Sequence, residues 1–505
     1  MSYPHSNGKV GCSEPRSLAD SAERLKALDK SPAFGITLTK TQQSIHDQIL
    51  IDVADDHVRT ACITGYAGVG KTVTTAAIVH SLQQEYGRGV ELCATTHKAA
   101  RQVERGMADL GVVGSKAITI HRLLGVKQVR DYQTGEEYFT TDKQNPPQLS
   151  ADTKVVVLDE TSMLPRQLYN CLLDAIGHGQ TVVFVGDDRQ LAPPSDNKLC
   201  DAFTKSDRSY RLTEVLRHDG AVLQLATATR QMERGRGPFI DAQGGGSRVI
   251  TYPSIQSWKA AAIQMACSPE AMAEPDYTRI LAFTNNNVKA LNRLVRERVF
   301  GIDAAPYVPG ERLISHSAIP NPNGGPPVLY STAEMLVQSV EFDAIPLDGD
   351  EIKDVAVASH GVRKFNKGLR QASPWQHWRI EALVPGIGPI EFCVLDAAEK
   401  DRWRKCQKAI AELANSLHGG RRRNLWRLYF YRRDQFGAVE PASALTIHKS
   451  QGSTYRHVFL HPDVDGFPNS NGDKTPSITT NRLAYVGITR AAETLHVVAD
   501  SEVQS

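Results

Sequence analysis

The stretch Gly65-Tyr66-Ala67-Gly68-Val69-Gly70-Lys71-Thr72 follows the apolar run Ala61–Thr64 and opens a helical pattern. Strand, glycine-rich loop and helix in that order are what a phosphate-binding P-loop requires. Consecutive backbone N–H groups at the helix N-terminus bind phosphate oxygens, Lys71 neutralises the β/γ charge, and the Thr72 hydroxyl ligates Mg²⁺. ATP and Mg²⁺ are therefore the expected ligands, cradled from Gly65 to Thr72, with position 73, a valine, adjoining. A plain glycine turn with a surface lysine is the bland alternative, and the flanking strand and helix argue against it.

Outward from this loop, short β-branched runs recur ahead of longer helical ones: Val90–Thr95, Val155–Leu158, Val182–Val185, Ile280–Phe283, Val458–Leu460 and Leu495–Val498. Alternating βα units imply parallel sheets covered by helices on both faces. So many strands around a long middle segment exceed one sheet's usual size, and two α/β domains are expected.

Composition sets the outer limits. The chain has 505 residues, 58 Lys+Arg against 56 Asp+Glu, 41% hydrophobic and 23% charged residues. That excludes wholesale disorder, a collagen-like fibre or a supercharged tail protein. The eight cysteines form no CxxC pair, so neither a zinc knuckle nor a disulfide framework is expected, and a reducing, cytoplasmic location fits them. No run approaches the ~18 apolar residues of a membrane span, and the polar N-terminus lacks a signal peptide's apolar core.

Two further strands end in chemistry. Val155-Val-Val-Leu158-Asp159-Glu160 delivers two carboxylates to a strand's C-terminal edge, where such sheets face their ligand. Asp159 suits the Mg²⁺ shell and Glu160 the polarising of an attacking water. Val182–Val185 leads to Gly186-Asp187-Asp188-Arg189-Gln190, whose Gln190 can report on the γ-phosphate. Arg217 and Arg490 are candidate cations from the second domain, where a positive charge stabilises the transferring phosphoryl group. A lone arginine is otherwise an ordinary solvated residue.

With Ala94-Thr-Thr-His-Lys-Ala-Ala100, Thr446-Ile-His-Lys-Ser-Gln-Gly-Ser-Thr454 and Tyr485-Val-Gly-Ile-Thr-Arg490 added, the motif order resembles that of superfamily 1B DNA helicases of the Dda-like and RecD-like kind, over about residues 37 to 500. The resemblance implies two RecA-like P-loop domains gripping ATP, with single-stranded DNA across their tops and 5′ to 3′ translocation. It implies that Gln42 reads adenine, that Lys71 and Thr72 hold phosphate and Mg²⁺, and that Asp159 and Glu160 are metal ligand and base. Gln190 is then the γ-phosphate sensor, with Arg217 and Arg490 the arginine fingers. Thr96, His97, Thr119, His121, Asn285, Thr446 and His448 resemble strand-contacting positions. Tyr66 and Val69 stand where the family commonly has Pro and Thr, Ala192 separates Leu191 from the proline pair, and His218 follows Arg217 where Gln is usual.

The expected division is a flexible arm at 1–36, a first RecA-like domain at 37–125 and 151–208, and a second at 209–308 and 441–505. A hairpin at 126–150 sits where the family carries its duplex-splitting pin, with Tyr132, Tyr138 and Phe139 as stacking candidates worth about 1 to 3 kcal/mol per base. The bland reading is that these rings only pack the hairpin. Residues 309–440 sit where the family inserts an SH3-like β-rich module, with a helix near 398–417 in excess. Between 402 and 433 the basic residues Arg402, Arg404, Lys405, Lys408, Arg421, Arg422, Arg423, Arg427, Arg432 and Arg433 interleave with Trp403, Trp426, Tyr429 and Phe430, which suits nucleic acid or a solvated amphipathic helix.

The function expected is an ATP-dependent 5′ to 3′ DNA helicase in replication, recombination or repair, acting as a monomer on single strands and junctions, with a single-strand-binding or replisome protein as a partner. The alternatives are a translocase that strips proteins, an RNA-directed motor, and a degenerate P-loop scaffold.

Overall fold

The computed structural model describes residues 37–500 except 113, 115, 142–148, 150, 194–195, 197, 215–219, 233–235, 320–327, 330, 346–373 and 466–476. The first sheet runs β3 (Ala117–Thr119), β2 (Val90–Ala94), β6 (Val155–Asp159), β7 (Thr181–Gly186), β1 (Thr60–Gly65) and β8 (Arg208–Leu212), all pairs parallel. Its central strands are apolar along their length because both faces are covered. Val155, Val157, Val183 and Val185 enter one core, while Val156, Leu158, Val182 and Phe184 enter the opposite one. Helices α1 (Lys40–Ala54), α2 (Lys71–Tyr86) and α3 (His97–Asp109) cover the first face, and α4 (Arg166–Ala175) the second. Strand β8 carries this sheet past the expected break at 208; its mixed Arg-Ser-Tyr-Arg pattern is that of an edge strand.

The second sheet runs β17 (Ala444–Thr446), β11 (Thr278–Ala282), β18 (Tyr455–Leu460), β19 (Ala491–Val498), β10 (Ser247–Tyr252) and β9 (Ala242–Gly244). Only the β9–β10 pair is antiparallel, a hairpin that turns at Gly245 and Gly246. Helices α5 (Ala221–Gln231) and α10 (Ser477–Thr489) pack together on one face, while α6 (Ile255–Ala266) and α7 (Asn285–Phe300) cover the other.

Two insertions interrupt this pair. Strands β4 (Val126–Arg130) and β5 (Glu137–Thr141) form the expected hairpin. Strands β12 (Arg312–Ser315), β13 (Glu334–Ile345), β14 (Trp375–Val384), β15 (Gly388–Leu395) and β16 (Val439–Pro441) form a five-stranded antiparallel sheet in the order β15-β14-β13-β12-β16. The helix foreseen near 398–417 is α8 (Lys400–Ser416), and the basic stretch after it forms a second helix, α9 (Gly419–Arg433), packed against α8 through Ile410, Ala414, Leu425, Trp426 and Phe430.

Candidate active site and nucleic-acid interface

The P-loop sits between the end of β1 and the start of α2. Gly68 and Gly70 take left-handed backbone conformations, with φ 81° and 79°, that L side chains adopt only under strain. Lys71 Nζ donates to the carbonyls of Gly65 (2.9 Å) and Tyr66 (3.0 Å), placing the cation inside the curve of the loop. Gln42, 2% exposed, donates from Nε2 to the Gly70 carbonyl (3.5 Å), and its Oε1 accepts from the Thr39 N–H (3.0 Å). Its amide thus couples the start of α1 to the loop.

Strand β7 lies between β1 and β6, so the turns after all three strands are neighbours. Asp159 closes β6, and its Oδ1 accepts the Glu160 backbone N–H at 2.7 Å. Burial, then the adjacent Glu160 carboxylate, push the Asp159 carboxyl up to about 6, against the pull of Lys71. A half-buried carboxyl pair of this kind, with a threonine at the head of α2, fits a divalent cation, which Thr72 and Asp159 would hold. Glu160 has φ 53°, a strained backbone of the kind that clusters at active sites.

The turn after β7 is where the two domains meet. The Tyr485 hydroxyl, on α10, donates to fully buried Asp187 (2.6 Å) and accepts from the Ala67 N–H of the P-loop (2.9 Å). Arg482, one turn earlier, donates to the carbonyls of Asp188 (2.8 Å) and Gln190 (2.6 Å). Gln190 is buried, and its Oε1 accepts from the Ser162 hydroxyl at 3.4 Å. Gln451 Nε2 donates to the Leu191 carbonyl at 3.3 Å. Tyr485, Arg482 and Gln451 carry no signal in sequence beyond lying within or beside motifs.

Arg490 departs from its expected placement. Its Nε, Nη1 and Nη2 donate to the Val486 carbonyl, the Ser453 carbonyl and the Thr489 hydroxyl, all within its own domain, and the side chain is buried. It ties the end of α10 to the Thr446–Thr454 segment. Arg217 and His218 lie outside the described residues.

The expected strand-contacting residues gather at the opposite edge. Thr96 caps α3 by accepting from the Ala99 N–H (3.1 Å), and Thr119 caps the short helix after β3 by accepting from the Arg122 N–H (3.4 Å). Burial, then Arg101 and Arg122, hold the His97 imidazole below its usual range; burial and His97 do the same to His121. Thr446 accepts from the Lys449 N–H (3.3 Å) at the end of β17, and Asn285 is exposed at the start of α7. Strands β3 and β2 edge the first sheet and β11 and β17 the second, whereas the nucleotide residues follow β6, β7 and β1. A Cβ on Gly452 would touch Ala99, so the segments of the two domains expected to contact the strand abut.

The hairpin does not present Tyr132 as a free tip. The Tyr132 ring stands edge-on to Phe430 at 5.9 Å, beneath the Arg427 guanidinium. Gly135 lies so close to Trp426 that any Cβ would overlap the indole. Arg433 grips Glu137 with two bonds of 2.7 Å, and Arg130 pairs with Asp434. The turn is therefore docked on α9. Tyr138 is 46% exposed, and the Phe139 side chain lies outside the described ones.

The basic stretch also divides. Trp426 and Phe430 are core, and Trp403 packs on Trp375 and Phe436, so these rings face inward and do not interleave with the cations at the surface. Arg423, Arg427 and Tyr431 recur every four residues on the exposed side of α9, with Tyr431 56% exposed. That spacing is the signal which picks out Tyr431 from the other aromatics. If this face binds nucleic acid, Arg421→Glu with Arg423→Glu flattens the salt dependence of DNA affinity by about one unit of slope per lost contact. An unchanged slope removes the face from the interface.

Two sheets, one parallel and one parallel but for its β9–β10 edge, closing on a P-loop define a two-domain P-loop motor of the RecA-like α/β class. Residues 37–252 match the family model of an AAA domain, and residues 441–498 that of the UvrD-like helicase C-terminal domain. The chain is 24% identical over 470 residues to the ATP-dependent DNA helicase dda of Enterobacteria phage T4, spanning 90% of this chain and 97% of that protein. It is 25% identical over 472 residues to the RecBCD enzyme subunit RecD of Haemophilus influenzae, spanning 87% and 67%. Among solved structures, the Bacteroides Pif1 helicase in complex with ADP-AlF3 and ssDNA aligns with TM-score 0.47 at 13% identity, over 91% of this chain and 92% of that one. The chain is homologous to the Dda and RecD helicases, as its motif order implies. No helix among the described residues is long and apolar enough to cross a membrane.

Proposed function

We propose that the chain is an ATP-driven helicase that moves 5′ to 3′ along single-stranded DNA and unwinds duplex DNA in replication, recombination or repair. The observation that carries this reading is the pair of bonds from Tyr485 to Asp187 and to the Ala67 N–H, which joins the second domain to the loop that would hold phosphate. Lys71 and the P-loop amides bind the phosphates. Bound Mg²⁺ supplies charge neutralisation at the phosphate oxygens, with Thr72 and Asp159 as its protein ligands. Glu160 orients the attacking water and takes its proton, and Gln190 registers the terminal phosphate. Because Tyr485 and Arg482 hold the β7 turn from α10, a change at that turn moves the second sheet. The strand-contacting edge of that sheet, β11 and β17, moves with it. Both motor domains lie in one chain, which favours a functional monomer.

A second reading is a translocase that displaces proteins or serves a partner complex, and the docking of Tyr132 on α9 favours it, because that ring is not free to stack on a base pair. Strand separation on partial duplexes with a 5′ or a 3′ single-stranded tail tests both. Opening of the 5′-tailed duplex alone is the expected result. DNA-stimulated phosphate release with neither duplex opened would replace the helicase by the translocase, and opening from the 3′ tail would reverse the polarity.

A further inference from the structure

Helix α5 crosses the mouth of the P-loop. A Cβ added to Gly68 would stand 2.7 Å from Leu223, and two turns further along the same helix the Arg230 guanidinium lies 3.5 Å from the centroid of the Tyr66 ring. Three other arginines of this cleft are held by bonds within the chain, and Arg189 stands exposed in the turn after β7. Arg211 bonds the Tyr66 hydroxyl (2.8 Å) and Asp188 (2.6 Å), Arg482 bonds two carbonyls, and Arg490 is bonded within its own domain. Among the described residues Arg230 makes no hydrogen bond or ion pair, and its guanidinium rests on the Tyr66 face. An aromatic face answers a guanidinium's charge and leaves its five N–H donors without acceptors.

Arg230 also stands by the bridge between the domains. Burial drives the Tyr485 hydroxyl well above its ordinary range, and the Arg230 charge acts on it in the opposite direction. That hydroxyl contacts Asp187, three residues before Gln190, so Arg230 is on the side of the loop where the sensor turn lies.

We propose that Arg230 is a further phosphate-binding cation, delivered from the second motor domain to the terminal phosphate of a nucleoside triphosphate held by the P-loop. The triphosphate end offers what the described surroundings do not: anionic oxygens that accept two parallel N–H bonds from one guanidinium. Tyr66 is the platform that keeps the side chain at the loop. This role is distinct from those expected of Arg217 and Arg490, and it rests on the ATP-motor reading above.

The test is equilibrium titration of the full chain with fluorescent ATPγS and, separately, fluorescent ADP, for the wild type, Arg230→Gln, Arg230→Lys and Arg230→Ala. Loss of the side chain weakens ATPγS binding roughly tenfold or more while ADP changes by less than about twofold, and the lysine variant recovers part of the loss. Unchanged ATPγS affinity in Arg230→Gln overturns the proposal. So does an equal loss for ATPγS and ADP, which would make Arg230 a packing residue of α5. A wild type that binds neither nucleotide would instead overturn the ATP-motor reading itself.

Discussion

Glu160→Gln leaves nucleotide binding intact and lowers the DNA-stimulated rate of phosphate release by about 10²- to 10⁴-fold, the usual contribution of a positioned general base. The substitution keeps the shape of the side chain and its backbone. The left-handed φ of 53° at this residue and the 2.7 Å bond from its N–H to Asp159 are unaffected, because neither involves the Glu160 carboxylate. What is lost is the group proposed to accept the proton of the attacking water. Lys71→Ala behaves differently: the cation that neutralises phosphate charge disappears, so binding falls with the rate. Phosphate release and ATPγS titration on both variants separate the two cases. A Glu160→Gln chain that hydrolyses ATP at the wild-type rate would remove Glu160 as the base and leave Asp159 as the alternative.

The residues of that site were readable in sequence because each follows a strand whose composition is unmistakable. Strands β1, β6 and β7 are buried on both faces, so they appear as short apolar runs rich in β-branched residues that end in a glycine loop, a carboxyl pair and a polar turn. Strands β3 and β17 are three residues long, and β8 is a polar edge, so none has the length or alternation to stand out. The links between domains were illegible for another reason. Tyr485 meets Asp187 across 298 residues of chain, and nothing local to either residue encodes the other. The aromatic residues of α9 show the limit in a third form. Composition alone groups Trp426, Phe430 and Tyr431 with the arginines, whereas the helical turn sends the first two into the contact with α8 and only the third to solvent.

Glu334→Gln lowers thermal stability by about 3 to 5 kcal/mol, the usual cost of removing one member of a buried ion pair and leaving its partner charged. Glu334 opens β13 and accepts from Lys98 on α3 and Arg279 on β11, each at 2.9 Å. One carboxylate thus joins the first motor domain, the second, and the antiparallel sheet, while the Tyr455 ring lies against both cations. Burial alone would raise the Glu334 carboxyl, but the Arg279 and Lys98 charges outweigh it and hold the group at about 2. The sign of the pH dependence follows. A carboxyl at about 2 in the folded chain and 4.5 in the unfolded one contributes stability that is complete above pH 4.5 and lost as pH falls towards 2. The gap in melting temperature between wild type and Glu334→Gln is therefore full at pH 7, on the order of 6–20 °C for a unit of ~150–250 residues, and narrows below pH 4.5. Glu341→Gln, at an exposed position further along β13, shifts melting by no more than surface substitutions do, about 0.5 kcal/mol. Lys98 follows directly on Thr96 and His97, so the same variant loosens the strand-contacting end of the first sheet, and single-strand affinity falls with stability. A variant that melts with the wild type at pH 7 would mean that water already screens the two cations, and that the junction of the three modules is held by packing alone.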